Sequence, residues 1–258
     1  MLAQNPTAHR LKPWLKTMPT QPAIPISQPT EFSTLLRGET ETFSAWSGQW
    51  NSRRIASHLA IIIIGAGCYG AAMGWWRAPQ QGLFVAIKFP LIILLTTLGN
   101  ALLNGMLAPL LGLNIPFRQS FSAIVMSHAI TAAILGAFSP LIAFMIWNAP
   151  TMSSTTSSIA AYNLIKLAHV AIIMFAGIAG NARLFQMLAH LGGNPAVAQR
   201  VLFAWLAGNL FLGSQLSWIL RPFIGAPELP VQFLRAGALH GNFYENVFTS
   251  ITQFFLTN

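Results

Sequence analysis

Five long apolar runs set the limits on what this chain can become. They cover roughly residues 56–76, 84–111, 121–147, 159–180 and 196–220. Each is close to the ~20 residues that cross ~30 Å of hydrocarbon. Inside lipid a backbone must satisfy its own polar groups, and a single run can do so only as a helix. The expected fold class is therefore all-α: a polytopic integral membrane helix bundle of five spans, with amphipathic surface helices and an extended N-terminal arm. Charge supports this. Only 7% of residues are charged, against about 25% in soluble domains. Too little charge is present to cover a water-facing surface, so the lipid bilayer is the first expected partner.

The runs divide the chain into three parts. Residues 1–55 form a polar arm that passes into an amphipathic interfacial helix. Residues 56–220 form the five-span bundle, and residues 221–258 form a Pro/Gly link and an amphipathic aromatic tail. In the first part, Phe32, Leu35, Leu36, Phe43, Trp46 and Trp50 recur at helical spacing. Trp46 and Trp50 suit the headgroup level and are candidate partner contacts. An odd number of spans puts the two termini on opposite sides. The count of Arg and Lys near the span ends, with Lys88 and Arg77 taken as outer flanking charges, favours a cytoplasmic N-terminus and a C-terminus across the membrane. A bacterial inner membrane is the expected location. The net charge of +9 fits this inside-positive bias. Its scatter lacks the clustered basic residues and aromatic platforms of a nucleic-acid surface, so no nucleic-acid partner is expected.

Catalytic chemistry has little to start from. The chain has no Asp, and its five Glu residues (Glu31, Glu39, Glu41, Glu228 and Glu245) all lie outside the spans. No metalloprotease, phosphate-loop or nucleophile-elbow motif occurs, so an enzyme is not expected, and neither a metal nor a cofactor. The lone Cys68 sits in an apolar run and reads as a buried, inert thiol.

Intramembrane polar groups are expensive and often functional. Span 4 places Tyr162, Lys166 and His169 at a spacing that shares a helical face. Span 3 places His128 one turn from Thr131, and span 2 carries Thr96, Asn100 and Asn104 in a row. One reading is a polar path through spans 3 and 4, with His128, Lys166 and His169 passing protons or meeting an anion. The other is interhelical hydrogen bonding, in which Asn100, Asn104 and the histidines hold spans together. A third reading uses His128 and His169 as ligands of a haem or pigment. Gly65, Gly67, Gly70 and Gly74 in span 1, and Gly177 and Gly180 in span 4, are small residues of the kind that let helices approach closely.

The stretch from Gly208 to Glu245 is the most individual part of the chain. It leaves the last span at Trp218, Arg221 and Pro222 and crosses a link punctuated by Gly225, Pro227 and Pro230. The expectation is a folded lid over the mouth of the bundle, fixed by Arg221 or Arg235 pairing with Glu228 or Glu245. Beyond it, Asn242 and Glu245 form a capping box, followed by Tyr244, Val247, Phe248 and Ile251 on one helical face. Trp218, Arg221, Arg235, Tyr244 and Phe248 are the candidate partner-binding residues here.

Residues 68–100, CYGAAMGWWRAPQQGLFVAIKFPLIILLTTLGN, combine a Gly-rich span, a short loop with Gln80 and Gln81, and an Ala86-x-Lys88-x-Pro90 approach to span 2. This pattern, after a long polar N-terminal region, resembles the Yip-domain (Ypt-interacting protein) family of five-span membrane proteins. The resemblance covers about half the chain. It implies membrane organisation and partner binding, and no catalytic residues. The functional expectation is a non-enzymatic membrane protein that binds or scaffolds partners, as an accessory subunit of a larger complex with other integral membrane subunits. The alternatives are a channel or passive carrier through spans 3 and 4, and a haem- or pigment-binding electron-transfer subunit.

Overall fold

The computed structural model describes residues 51–153 and 155–256. Trp46, Trp50 and the arm that precedes them lie outside the described residues. All regular structure among the described residues is helical: α1 (Ser52–Trp75), α2 (Pro79–Leu110), α3 (Phe117–Trp147), α4 (Thr156–Gly192), α5 (Pro195–Leu220) and α6 (Phe243–Leu256). The first five are long and apolar enough to cross a membrane. The protein is an all-α, multi-pass integral membrane bundle.

Local chemistry sets the helix ends. Asn51 caps α1, its Oδ1 accepting from the amides of Arg53 and Arg54. α2 opens with Pro79, where a missing amide costs nothing. α4 runs beyond the expected span to Gly192, at 37 residues, a length of about 55 Å at 1.5 Å per residue. It ends at Gly193, whose φ of +60° suits a residue without Cβ. The next residue, Asn194, caps α5 by accepting from the Ala196 amide at 2.9 Å. The Gly193–Asn194–Pro195 sequence is thus a stop signal followed at once by a start signal.

Contacts between neighbouring helices close into a ring in the order α1–α2–α5–α4–α3, and α2 also touches α3. The tightest crossings are at glycine. A Cβ on Gly136 of α3 would lie 2.9 Å from the Gly65 Cα of α1, and one on Gly65 would strike the Ala132 backbone. Gly70 and Gly74 instead face α2, where a Cβ would meet the Val85 and Gln81 carbonyls at 2.5 and 2.6 Å. Two apolar cores result. One gathers Ile62, Ala101, Ile124, Leu188 and Trp205. The other gathers Tyr69, Met73, Val85, Leu135 and Ile172 toward the end of the bundle that carries the α1–α2 turn. Exposed Ile63, Leu98, Met106, Phe144, Leu167 and Phe203 form the outer apolar surface, as lipid requires.

One expectation about α1 is corrected. Cys68 is exposed, not buried. The buried face of α1 follows Ile62, Ala66, Tyr69, Gly70 and Met73, which leaves Cys68 turned toward the lipid side.

Candidate functional site

After Leu220 the chain folds back over the bundle as a strap, and the contacts that hold it differ from the expected ones. The strap contains Pro222, Pro227 and Pro230, which have no amide hydrogen. Several of its carbonyls need donors from elsewhere. The α1–α2 region supplies them. Arg77 donates through Nε to the Ala226 carbonyl (3.1 Å), and through one terminal nitrogen to those of Pro227 (3.3 Å) and Leu229 (3.1 Å). Gln81 Nε2 donates to the Pro222 and Phe223 carbonyls, each at 2.9 Å. Lys88 Nζ donates to the Pro222 carbonyl at 3.1 Å and lies 5.1 Å from the centre of the Phe233 ring. Phe233 in turn packs edge-on against Phe84 of α2. Gly225, at a φ of +84°, lets the strap settle on the Arg77 stem, 3.2 Å from where its Cβ would stand.

A lid is present, but among the described residues no Arg–Glu pair fixes it. The Arg221 guanidinium lies on the Trp218 ring and donates to the Trp218 carbonyl at 2.9 Å. Arg235 approaches the same ring at 5.1 Å. Glu245 is engaged at the start of α6: its backbone amide donates to Asn242 Oδ1 at 2.8 Å, as the capping box requires, and its Oε2 accepts from Asn242 Nδ2 at 3.4 Å. The ring of Trp218 serves both arginines. Lys88 is also reassigned. It is fully buried, so it does not act as a flanking charge.

The tail helix is pinned at one end only. Tyr244 stacks on Phe211 of α5 at 5.5 Å between ring centres. Its Oη lies 2.7 Å from Ser214 Oγ. The Phe243 amide donates to Gln215 Oε1 at 3.1 Å. Past that anchor Phe248 is 68% exposed. Among the described residues α6 touches α5 only lightly and makes no substantial contact with the other helices.

The intramembrane candidates fall into separate places. Asn100 Nδ2 donates to Asn209 Oδ1 (2.7 Å) and to the Trp205 carbonyl (3.3 Å), and Asn104 Nδ2 donates to Asn100 Oδ1 (2.7 Å). This ladder ties α2 to α5. His169 shares a 2.8 Å hydrogen bond with Tyr69 Oη across α1 and α4. His128 Nδ1 sits 3.0 Å from the Ile124 carbonyl of its own helix. Lys166 is exposed beside the Tyr162 ring. The structure therefore brings Asn100 and Asn104 together and leaves His128, Lys166 and His169 apart. Among the described residues no three His, Cys, Asp or Glu side chains converge on a possible metal position.

Sequence reasoning passed over Tyr69, Arg77, Gln81 and Lys88 as site residues. A signal for the last two was present: Gln81, Val85, Lys88 and Ile92 follow the 4–3–4 spacing of one helical face, and all four are buried.

No protein-family model, curated protein or solved structure matches this chain.

Proposed function

We propose that this protein is a non-enzymatic membrane subunit that grips other integral membrane proteins, as an accessory part of a larger complex. The observation that carries the reading is α6. It is fastened at its first residues to Phe211, Ser214 and Gln215, yet presents Val247 and Phe248 to its surroundings. A helix so firmly anchored and so little covered is shaped to meet an apolar neighbour. The strap sets where that helix begins, through carbonyls held by Arg77, Gln81 and Lys88. The intramembrane polar groups support the same reading. Asn100, Asn104, Asn209, Tyr69 and His169 spend their hydrogen-bonding capacity between helices, which rigidifies a scaffold. The Yip-domain resemblance of residues 68–100 points the same way, toward membrane organisation. In this reading the N-terminus is cytoplasmic, and α6 lies on the opposite side of a bacterial inner membrane.

The test is extraction of the full chain from its own membranes in mild detergent, followed by native mass. The expected result is a stoichiometric complex with other membrane proteins. It should be lost when residues 242–258 are removed and weakened by Phe248→Ser. A full-length protein that runs alone at its own mass would overturn the reading. A second copy of this chain as the sole companion would keep the docking surface and remove the accessory role.

A further inference from the structure

The polar nitrogens around Trp218 point to a ligand that the partner-docking reading does not require. The Arg221 and Arg235 guanidinium carbons lie 2.9 and 5.1 Å from the centre of one Trp218 ring. The two are thus within about 8 Å of each other, the sum of those distances, a separation at which like charges repel. Neither meets a carboxylate. A terminal nitrogen of Arg221, Nε of Arg235 and Nε1 of Trp218 are all buried without an acceptor. A buried donor left unpaired is costly, and here three occur in one small place with no acceptor among them. A neutral water would relieve one or two. A group with several oxygens and negative charge would accept from more than one of them and also screen the arginines from each other. Arginine forks match phosphate oxygens in geometry. Both arginine residues are only half-buried, so part of each side chain lies open to the outside next to the buried donors. They stand at the end of α5, where a spanning helix leaves the hydrocarbon for the headgroup layer. A third cation, Lys88, sits beside them, bonded to the Pro222 carbonyl that follows Arg221.

We infer that Trp218, Arg221 and Arg235 form a binding site for a phosphate group, carried by a lipid headgroup or free in solution. Arginine and tryptophan that merely anchor a helix would extend into headgroup water. Here the strap turns Arg235 back onto the same ring as Arg221, which gathers the donors.

The experiment uses the delipidated full chain in a neutral detergent, read by native mass spectrometry. The probes are short-chain phosphatidylglycerol, diacylglycerol of the same chain length, and inorganic phosphate. Phosphatidylglycerol is expected to bind saturably at one high-affinity position, and diacylglycerol is not. Arg235→Gln and Arg221→Gln should each weaken that binding about tenfold, the equivalent of ~1.4 kcal/mol. Arg200→Gln, which removes an exposed charge at the start of α5, should leave it unchanged. Among the described residues the Arg235 guanidinium makes no hydrogen bond, so Arg235→Gln carries the test if Arg221→Gln fails to fold. Displacement of the lipid by inorganic phosphate would assign the site to the free anion, and retention would assign it to the headgroup. Equal binding of diacylglycerol, or undiminished binding in Arg235→Gln, would overturn the inference.

Discussion

Lys88 Nζ lies 3.1 Å from the Pro222 carbonyl, which joins a fully buried cation of α2 to the first turn of the strap. A buried ammonium is costly unless paired, and here the carbonyl and the Phe233 ring share the task. A hydrogen bond from a charged donor contributes about 1.5–3 kcal/mol. Lys88→Met keeps the apolar stem and removes the head. Amide exchange over residues 226–240, read at the turn amides of Leu229, Ala238 and His240, should speed up by about tenfold or more. Unfolding of the whole bundle should change less, because losing the bond is offset by no longer desolvating a charge. Unchanged exchange in the strap would show that Arg77 and Gln81 hold it alone.

The glycines separate into two kinds, and substitution should tell them apart. A Cβ on Gly65 would strike the Ala132 backbone of α3, whereas one on Gly177 would meet nothing within 4 Å. Gly65→Ala should destabilise the bundle by about 1–3 kcal/mol through overpacking. Gly177→Ala should be neutral, or stabilise by up to about 1 kcal/mol from helix propensity alone. Unfolding in a detergent titration measures both, and equal effects would contradict the observed crossing.

These two glycines also show how far the sequence could be read. Five spans and the capping box at Asn242 and Glu245 are local or periodic features, and both were legible. Small residues were recognisable as a class, but Gly177 and Gly180 look alike in sequence. Only the position of α3 decides that Gly180 packs against Ser127 and Thr131 while Gly177 does not. The strap posed the same difficulty. That a Pro-rich link would fold back was readable, but its anchors were not. Arg77, Gln81 and Lys88 lie more than a hundred residues before their acceptors, and a carbonyl acceptor leaves no trace in residue type. Glutamates are visible in a sequence and so invited an ion pair. Unpaired carbonyls of a proline-rich segment were the stronger demand. Tyr162, Lys166 and His169 show a related limit: Lys166 lies beside the Tyr162 ring, while His169 is buried against Tyr69. Residues at this spacing sit close on a helix surface, but the boundary between bundle and lipid runs between them.

Tyr69 and His169 offer a test of that boundary. Their 2.8 Å bond is buried between α1 and α4, and Nε2 of the histidine has no partner. Tyr69→Phe would leave both imidazole nitrogens unsatisfied and should cost about 1–3 kcal/mol. His169→Leu removes the polar group altogether and should cost less. A double-mutant cycle should then give a coupling of at least ~0.5 kcal/mol. Strict additivity would mean that the bond contributes nothing to holding α4 on α1. Lys166→Ala, on the exposed face of the same helix, should leave stability within about 0.5 kcal/mol of the parent.

Anchoring and docking by α6 rest on different residues and should separate by mutation. Tyr244 supplies the anchor in two ways: its ring stacks on Phe211, and its hydroxyl meets Ser214. Tyr244→Phe removes only the hydroxyl. It should loosen α6 modestly, since an exposed neutral hydrogen bond contributes about 0.5–1.5 kcal/mol. Tyr244→Ala removes the stack as well and should make residues 243–256 readily cleaved by protease while the five spans stay intact. Phe248 is 68% exposed, so Phe248→Ser should leave protease resistance of the isolated protein unchanged and weaken only its hold on a neighbour. A Phe248→Ser protein cleaved as readily as Tyr244→Ala would show that this side chain stabilises α6 itself, and the exposed face would then lose its role in docking.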